Sequence, residues 1–267
     1  MLIPFTKAHG TGNHFVIIYL PECPGLELNE KIIEKICNPN TGIGADGLLA
    51  LSEDNQCNFK MDYYNRNGTW ETMCANGARC AGLFLYEKKI INKKSTFICG
   101  DGFHEMVIDN ADNIAITIFP PQYTSDEITI DNFSGFSVNS GAKHFVIEID
   151  DDSLDLKSIG RKIRYADEFS PHGTNVNFVQ KITSSELQVI TYEKGVEKIM
   201  QSCGSGSVAA AFHMQKKYNL NNNLTIKVLG GKLHINANQN WDEGWLKGPA
   251  KLLFNSKINV GEYINDK

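Results

Sequence analysis

Apolar and polar residues alternate in short runs along most of this chain, the period-two pattern of half-buried strands. DGLLALS (46–52), FKMDYYN (59–65), NIAITIF (113–119), HFVIEID (144–150), ELQVITYE (186–193), LTIKVLG (224–230) and WLKGPAKLLF (245–254) have strand-like alternation or composition. Helical spacing is rarer. NEKIIEKIC (29–37) puts Ile32, Ile33 and Ile36 on one face, with Asn29 as the expected N-cap. DLKSIGRKIR (155–164) is a second candidate, and two more helices are expected to begin at Cys74 and Cys203. DDD at 150–152 reads as a solvated turn.

The pattern repeats. HFV occurs at 14–16 and 144–146, and GDGFH at 100–104 aligns with GGKLH at 230–234, both at an offset of 130. Cys74-Ala75-Asn76-Gly77-Ala78-Arg79-Cys80-Ala81 and Cys203-Gly204-Ser205-Gly206-Ser207-Val208-Ala209-Ala210 share C-x-x-G-[AS]-x-x-A, 129 apart. Matches in one order at nearly one offset imply a tandem duplication of a domain-sized unit. The expected organisation is an N-terminal half over 1–119, carrying Cys74, and a C-terminal half over 120–249, carrying Cys203. A last strand, about 250–267, would return to the first half. Two such domains would present their cysteines to one another across a cleft.

Composition narrows the class. At 267 residues, 42% hydrophobic and 21% charged, the chain has the make-up of a globular protein with a substantial core. A net charge of −5 gives no basic footprint for nucleic acid, and no apolar run approaches membrane-spanning length. The N-terminus lacks a signal-peptide pattern. Seven cysteines, an odd number with no C-x-x-C pair, argue against a disulfide framework or a zinc ribbon. A reducing cytoplasm is therefore expected, with no metal site.

The helix starts at Cys74 and Cys203 carry the candidate chemistry. A helix N-terminus offers unpaired N–H groups and a partial positive charge, which favour a thiolate and hold a carboxylate. Small residues after each cysteine let a ligand approach the backbone. Two acid/base groups on opposite sides of one carbon are what a racemase or epimerase requires. One thiolate removes the α-proton and the other thiol returns a proton to the opposite face. Without an electron sink such as pyridoxal phosphate, preorganised N–H donors must stabilise the carbanion. Against this stands the common role of free cysteine as a small buried hydrophobe. Cys37, Cys57, Cys80 and Cys99 are assigned to that role.

With these residues in view, the chain resembles the diaminopimelate epimerase family over nearly its whole length. The matching stretches are HGTGNHFVII (9–18), TGIGADGLL (41–49), YNRNGTWETMCANGARC (64–80), GTNVNFV (173–179), TYEKGVEKIMQSCGSG (191–206) and GPAKLLF (248–254). The resemblance implies an α+β fold of two pseudo-symmetric domains from an internal duplication. Each would be a curled, mainly antiparallel sheet around a central helix, with the active site in the interdomain cleft. It implies cofactor-independent interconversion of LL- and meso-diaminopimelate, in lysine and peptidoglycan-precursor biosynthesis. Cys74 and Cys203 match the acid/base pair, His144 the histidine supporting the first cysteine, and Glu193 the glutamate supporting the second. Asn76, Gly77, Gly204 and Ser205 match the cradle for the reacting carboxylate. Asn13, Asn65 and Asn175 match substrate-binding asparagines, and Lys194 stands where the family has an arginine. The expected partner is a small amino-acid substrate, with neither nucleic acid nor membrane; a homodimer is one arrangement this allows.

Departures bear on the substrate. The family's Gly-Asn-Pro-His is Gly141-Ala142-Lys143-His144, so one substrate-binding asparagine is lost. Tyr-Glu-Arg-Gly is Tyr192-Glu193-Lys194-Gly195, which exchanges a bidentate clamp for a point charge. Cys-Gly-Asn-Gly is Cys74-Ala75-Asn76-Gly77, and Ile199-Met200 replaces Glu-Thr. Another amino acid is thus an alternative substrate. A thiol hydrolase using Cys74 and His144 is a further alternative, but it leaves Cys203 and the duplication unexplained. A non-catalytic binder is a third. Gly42-Ile43-Gly44-Ala45-Asp46-Gly47 fits G-x-G-x-x-G, yet a helix precedes it and a strand follows, the reverse of a dinucleotide site. It reads as a tight helix-to-strand connection.

Overall fold

The computed structural model describes residues 1–150 and 153–261. The expected turn at 150–152 and the expected final strand reach partly beyond them: 151–152 and 262–267 lie outside the described residues. The chain divides into two compact units, after Ile116 and again after Lys247, the segment from Gly248 belonging with the first.

The first unit runs β1 (Leu2–Gly10), β2 (Asn13–Tyr19), α1 (Glu30–Cys37), β3 (Gly47–Ser52), β4 (Phe59–Asn65), β5 (Trp70–Glu71), α2 (Ala75–Glu87), β6 (Lys94–Cys99), β7 (Gly102–Asn110) and β8 (Asn113–Thr117). β1 and β2 form an antiparallel hairpin whose two turn residues, Thr11 and Gly12, have φ of 53° and 81°. That is the left-handed pair a tight hairpin favours. β2 then pairs in parallel with β3 through α1, β3 antiparallel with β4, and β4 in parallel with β6 through α2. Asn29 caps α1 as expected, accepting from the Ile32 N–H at 3.0 Å. Its buried face, Ile32, Ile33, Ile36 and Cys37, joins a core cluster with Val16, Ile18, Leu48 and Ile258.

The second unit repeats this course. It runs β9 (Gln122–Ile130), β10 (Phe133–Asn139), β11 (Lys143–Glu148), α3 (Leu156–Arg164), β12 (Asn175–Lys181), β13 (Glu186–Glu193), β14 (Lys198–Ile199), α4 (Gly204–Tyr218), β15 (Asn223–Val228), β16 (Gly231–Ala237) and β17 (Gly244–Gly248). β10–β11 is antiparallel, β11–β12 parallel through α3, β12–β13 antiparallel and β13–β15 parallel through α4. The repeated sequences occupy equivalent places: HFV lies in β2 and β11, and the GDGFH and GGKLH turns join β6–β7 and β15–β16. Gly102 and Gly231 there have φ of 129° and 142°. The duplication is therefore visible in topology as well as in sequence.

β18 (Lys251–Asn259) completes the first unit by pairing antiparallel with β1. WLKGPAKLLF, expected as one strand, is thus two. Pro249 has no N–H to continue the ladder, and the chain breaks there between β17 and β18. Several strands escaped the sequence reading, among them β7, β9, β10 and β16.

Each unit wraps its sheet around one helix. α2 is buried continuously from Ala75 to Leu85, and α4 from Gly206 to Gln215. A helix buried on every side needs no amphipathic stripe. Small residues let the sheet close in: a Cβ at Gly82 would lie 2.0 Å from the Met106 sulfur on β7. No helix among the described residues is long and apolar enough to cross a membrane.

Candidate active-site residues

Cys74 and Cys203 occupy the same position in their units. Each is the N-cap of the buried helix, with extended φ/ψ of −137°/111° and −127°/114°. Each carbonyl accepts the first helical N–H, from Ala78 at 2.8 Å and Ser207 at 3.0 Å. Each is half-buried, whereas Cys23, Cys37, Cys80 and Cys99 are buried. Cys57, expected among the buried thiols, is also half-buried, because its polar turn gives the thiol acceptors in Asp54 at 3.3 Å and the Phe59 carbonyl at 3.1 Å. Burial pushes the thiols of Cys37 and Cys80 up to about 12 and that of Cys99 further, so these three stay neutral.

In the first unit, the β1–β2 hairpin meets the start of α2. A Cβ on Gly10 would lie 2.7 Å from the Asn76 carbonyl oxygen, so only glycine permits this approach. Asn13 is buried; its Nδ2 donates to Asp46 at 3.1 Å. That leaves its Oδ1 to accept from Asn76 Nδ2 at 3.3 Å and to face the Cys74 thiol at 3.8 Å. Asp46 also accepts from the His14 N–H and from Arg66, at 2.9 and 3.0 Å. Cys74, Asn13, Asn76 and Gly77 are thereby brought together. Asn65 is held differently, accepting from Tyr63 Oη at 2.7 Å and donating to Glu71 at 3.0 Å.

In the second unit, a chain of hydrogen bonds leads from the sheet to Cys203. Thr191 Oγ1 donates to Asn177 Oδ1 at 2.9 Å. Asn177 Nδ2 is then free to donate to His144 Nδ1 at 3.0 Å, and His144 Nε2 lies 2.9 Å from Ser205 Oγ. With Nδ1 accepting, a neutral imidazole carries its proton on Nε2 and donates it to Ser205. The serine proton can then point to Cys203 Sγ, 3.6 Å away, which also accepts from the Gly206 N–H at 3.4 Å. Burial holds His144 neutral, its pKa lowered to about 3. His144 thus belongs to the network of the unit that carries Cys203.

Of the remaining expected residues, Asn175, Glu193 and Lys194 sit at or beside strand ends and Gly204 opens α4. Asn175 donates to the Lys143 carbonyl at 3.1 Å and accepts from the Lys194 N–H at 2.9 Å. Its amide retains a second N–H and a second lone pair. Lys143 and Lys194 are exposed, Gly204 is buried, and Glu193 closes β13 opposite Lys198.

Arg79, Asp46, Asn177 and Thr191 were not singled out by sequence reasoning. Two of them left a signal there. Arg79 is a charged residue within a run of small and apolar residues, and Asn177 stands between the apolar Val176 and Phe178.

Comparison with known proteins agrees with this architecture. The family model described as diaminopimelate epimerase matches residues 5–118 and 136–253, one stretch in each half. The chain is 40% identical to a diaminopimelate epimerase of Flavobacterium psychrophilum over 260 residues, covering 94% of this chain and 98% of that one. It is 34% identical to that of Aquifex aeolicus, covering 96% and 97%. Among solved structures, a probable proline racemase from Agrobacterium radiobacter superposes with a TM-score of 0.77 at 11% identity, over 96% of this chain and 93% of that one. A hydroxyproline epimerase from Agrobacterium vitis gives 0.72 at 11% identity, over 96% and 91%. Those two show the shared fold. The sequence matches decide the family: this chain belongs to the diaminopimelate epimerases.

Proposed function

We propose that the protein interconverts LL- and meso-diaminopimelate by two-base proton transfer at the α-carbon, with Cys74 and Cys203 as the bases. It is an isomerase acting in lysine biosynthesis, and on this reading it works in a reducing cytoplasm. One observation carries the assignment of the bases: the duplicated unit places a half-buried cysteine at the N-cap of its buried helix twice, with the same backbone conformation. Among relatives named for this epimerisation, that repetition supplies the two acid/base groups the reaction needs.

On this reading one thiolate takes the α-proton and the other thiol delivers its proton to the opposite face; the roles reverse in the return reaction. The carbanion's charge spreads into the substrate carboxylate. The first-turn N–H groups of α2 and α4, at Asn76, Gly77, Gly204 and Ser205, are the proposed donors to it. Because backbone donors are fixed in advance, they stabilise the developing charge without reorganising. Glu193, Asn13, Asn65, Asn175 and Lys194 are proposed to complete the supporting and substrate-binding set.

The test is proton NMR of LL-diaminopimelate with reduced enzyme in D₂O. Loss of the α-proton signal with formation of the meso isomer, abolished in Cys74→Ala and in Cys203→Ala, is expected. No exchange from folded, reduced enzyme would refute it. A second reading, epimerisation of another amino acid, is favoured by Ala142 and Lys194, which stand where the family has asparagine and arginine. Exchange with such an amino acid and none with diaminopimelate would select it.

A further inference from the structure

Arg79 is fully buried, in the middle of a helix whose neighbouring residues are apolar or small. Its guanidinium donates to the Ala75 carbonyl at 3.1 Å, Asn76 Oδ1 at 2.7 Å, Thr11 Oγ1 at 3.0 Å and the Pro249 carbonyl at 3.3 Å. All four acceptors are neutral. These bonds engage four of its five N–H groups but leave a buried positive charge, which is costly unless an anion balances it. The set also ties together the hairpin tip and the first turn of α2, the two pieces that flank Cys74.

Arg79 reaches Cys74 through side chains: Asn76, which accepts from Arg79 at 2.7 Å, donates in turn to Asn13 Oδ1 at 3.3 Å, and that oxygen faces the thiol of Cys74, the N-cap of the same helix, at 3.8 Å. The ionisable groups whose charge acts on Arg79 are thiols, Cys80 and Cys74. Cys80 is fully buried and held neutral. From β6, Cys99 also couples to Cys74, and it too stays a neutral thiol, with Asp62 and Asp101 near it. From β2, Asn13 faces Cys74 through its amide oxygen; the carboxylate behind it, Asp46, is already paired with Arg66. Cys74 is thus the half-exposed member of the set, able to lose its proton to solvent and supply the balancing charge.

We infer that Arg79 is a positioning residue for the reaction, its buried charge balanced by the Cys74 thiolate, so that Cys74 ionises more readily than an ordinary cysteine. The electrostatic coupling is reciprocal: what the thiolate does for the guanidinium, the guanidinium does for the thiolate. The inference deepens the two-base reading above, and its relevance to catalysis rests on that reading.

The test is the pH dependence of iodoacetamide alkylation in a Cys203→Ser background, with the Cys74 peptide followed by mass spectrometry. With Arg79 present, the midpoint is expected below the ~8.5 of a free cysteine. In Arg79→Met it should rise by about one unit or more, a tenfold loss of thiolate at lower pH. Arg79→Lys, which keeps the charge while losing the fork, should retain most of the lowering. A merely structural role would weaken both variants and leave their midpoints together. A midpoint at or above ~8.5 with Arg79 in place overturns the inference even if Arg79→Met does not fold. An unchanged midpoint in folded Arg79→Met overturns it as well. Alkylation needs no turnover, so a low midpoint in this background together with no α-proton exchange by the folded, reduced wild-type enzyme would sink the epimerase reading and leave this inference standing.

Discussion

The Oγ of Ser205 lies 2.9 Å from Nε2 of His144 and 3.6 Å from the sulfur of Cys203. One hydroxyl therefore stands between a buried neutral imidazole and the thiol at the start of α4. Its lone pair is engaged by the histidine, which leaves its proton for the sulfur. Ser205→Ala removes that proton but keeps the backbone N–H. A hydrogen bond to a charged group contributes roughly 1.5–3 kcal/mol, so kcat is expected to fall about 10- to 100-fold. Exchange kinetics at saturating substrate check this, and kcat within twofold of wild type would remove the serine from the proton path.

Buried His144 makes the stability of the fold depend on pH. Its folded pKa is lowered to about 3, while the unfolded chain takes up the proton near 6.5. Between these values the unfolded state binds more protons, so stability is full above about pH 6.5 and is lost as pH falls toward 3. The slope from this group approaches 1.4 kcal/mol per pH unit within the window. Urea unfolding at about pH 4.5, 5.5 and 6.5 should show a shallower slope in His144→Gln than in wild type. Equal slopes would mean that His144 is protonated in the fold.

Gly206 is where α4 crosses the hydrogen-bond chain. A Cβ there would lie 2.2 Å from Asn177 Oδ1 and 3.0 Å from Thr191 Oγ1. Gly206→Ala must displace that amide, and overpacking of this kind costs about 1–3 kcal/mol. The expected result is a lower urea midpoint together with reduced exchange activity, since the displaced amide is the one that orients His144. A variant as stable as wild type would show that the Asn177 position is free to shift.

Legibility in the sequence followed the range of the interaction. Asn29 and the face it caps were readable because an N-cap and a helical stripe involve residues three or four apart. Cys74 and Cys203 were readable because the small-residue pattern around each is local and occurs twice. The chain Thr191–Asn177–His144–Ser205 was not. Asn177 and Thr191 become neighbours only when β12 pairs with β13 in a register that sets them opposite one another. His144 meets Asn177 only through the parallel pairing across α3. Parallel strands need a long crossover, which leaves no short-range trace. Asp46 was noticed as part of a glycine-rich connection; its bonds to Asn13 and Arg66 depend on the hairpin and β4 folding onto it. The break at Pro249 had its cue in the proline, but apolar residues on both sides read as one strand.

The pairing of β1 with β18 fixes an order of assembly. Leu2 finds its partner in Asn259, whereas β10 has β9 immediately before it. During synthesis, the second unit holds all its own strands once Lys247 has left the ribosome, while the first still waits for the segment that follows. Until then β1 lacks its partner on one side, an unpaired edge of the kind that recruits other chains. A chain stopped after Lys247 should therefore keep a foldable second half and carry a first half prone to aggregate.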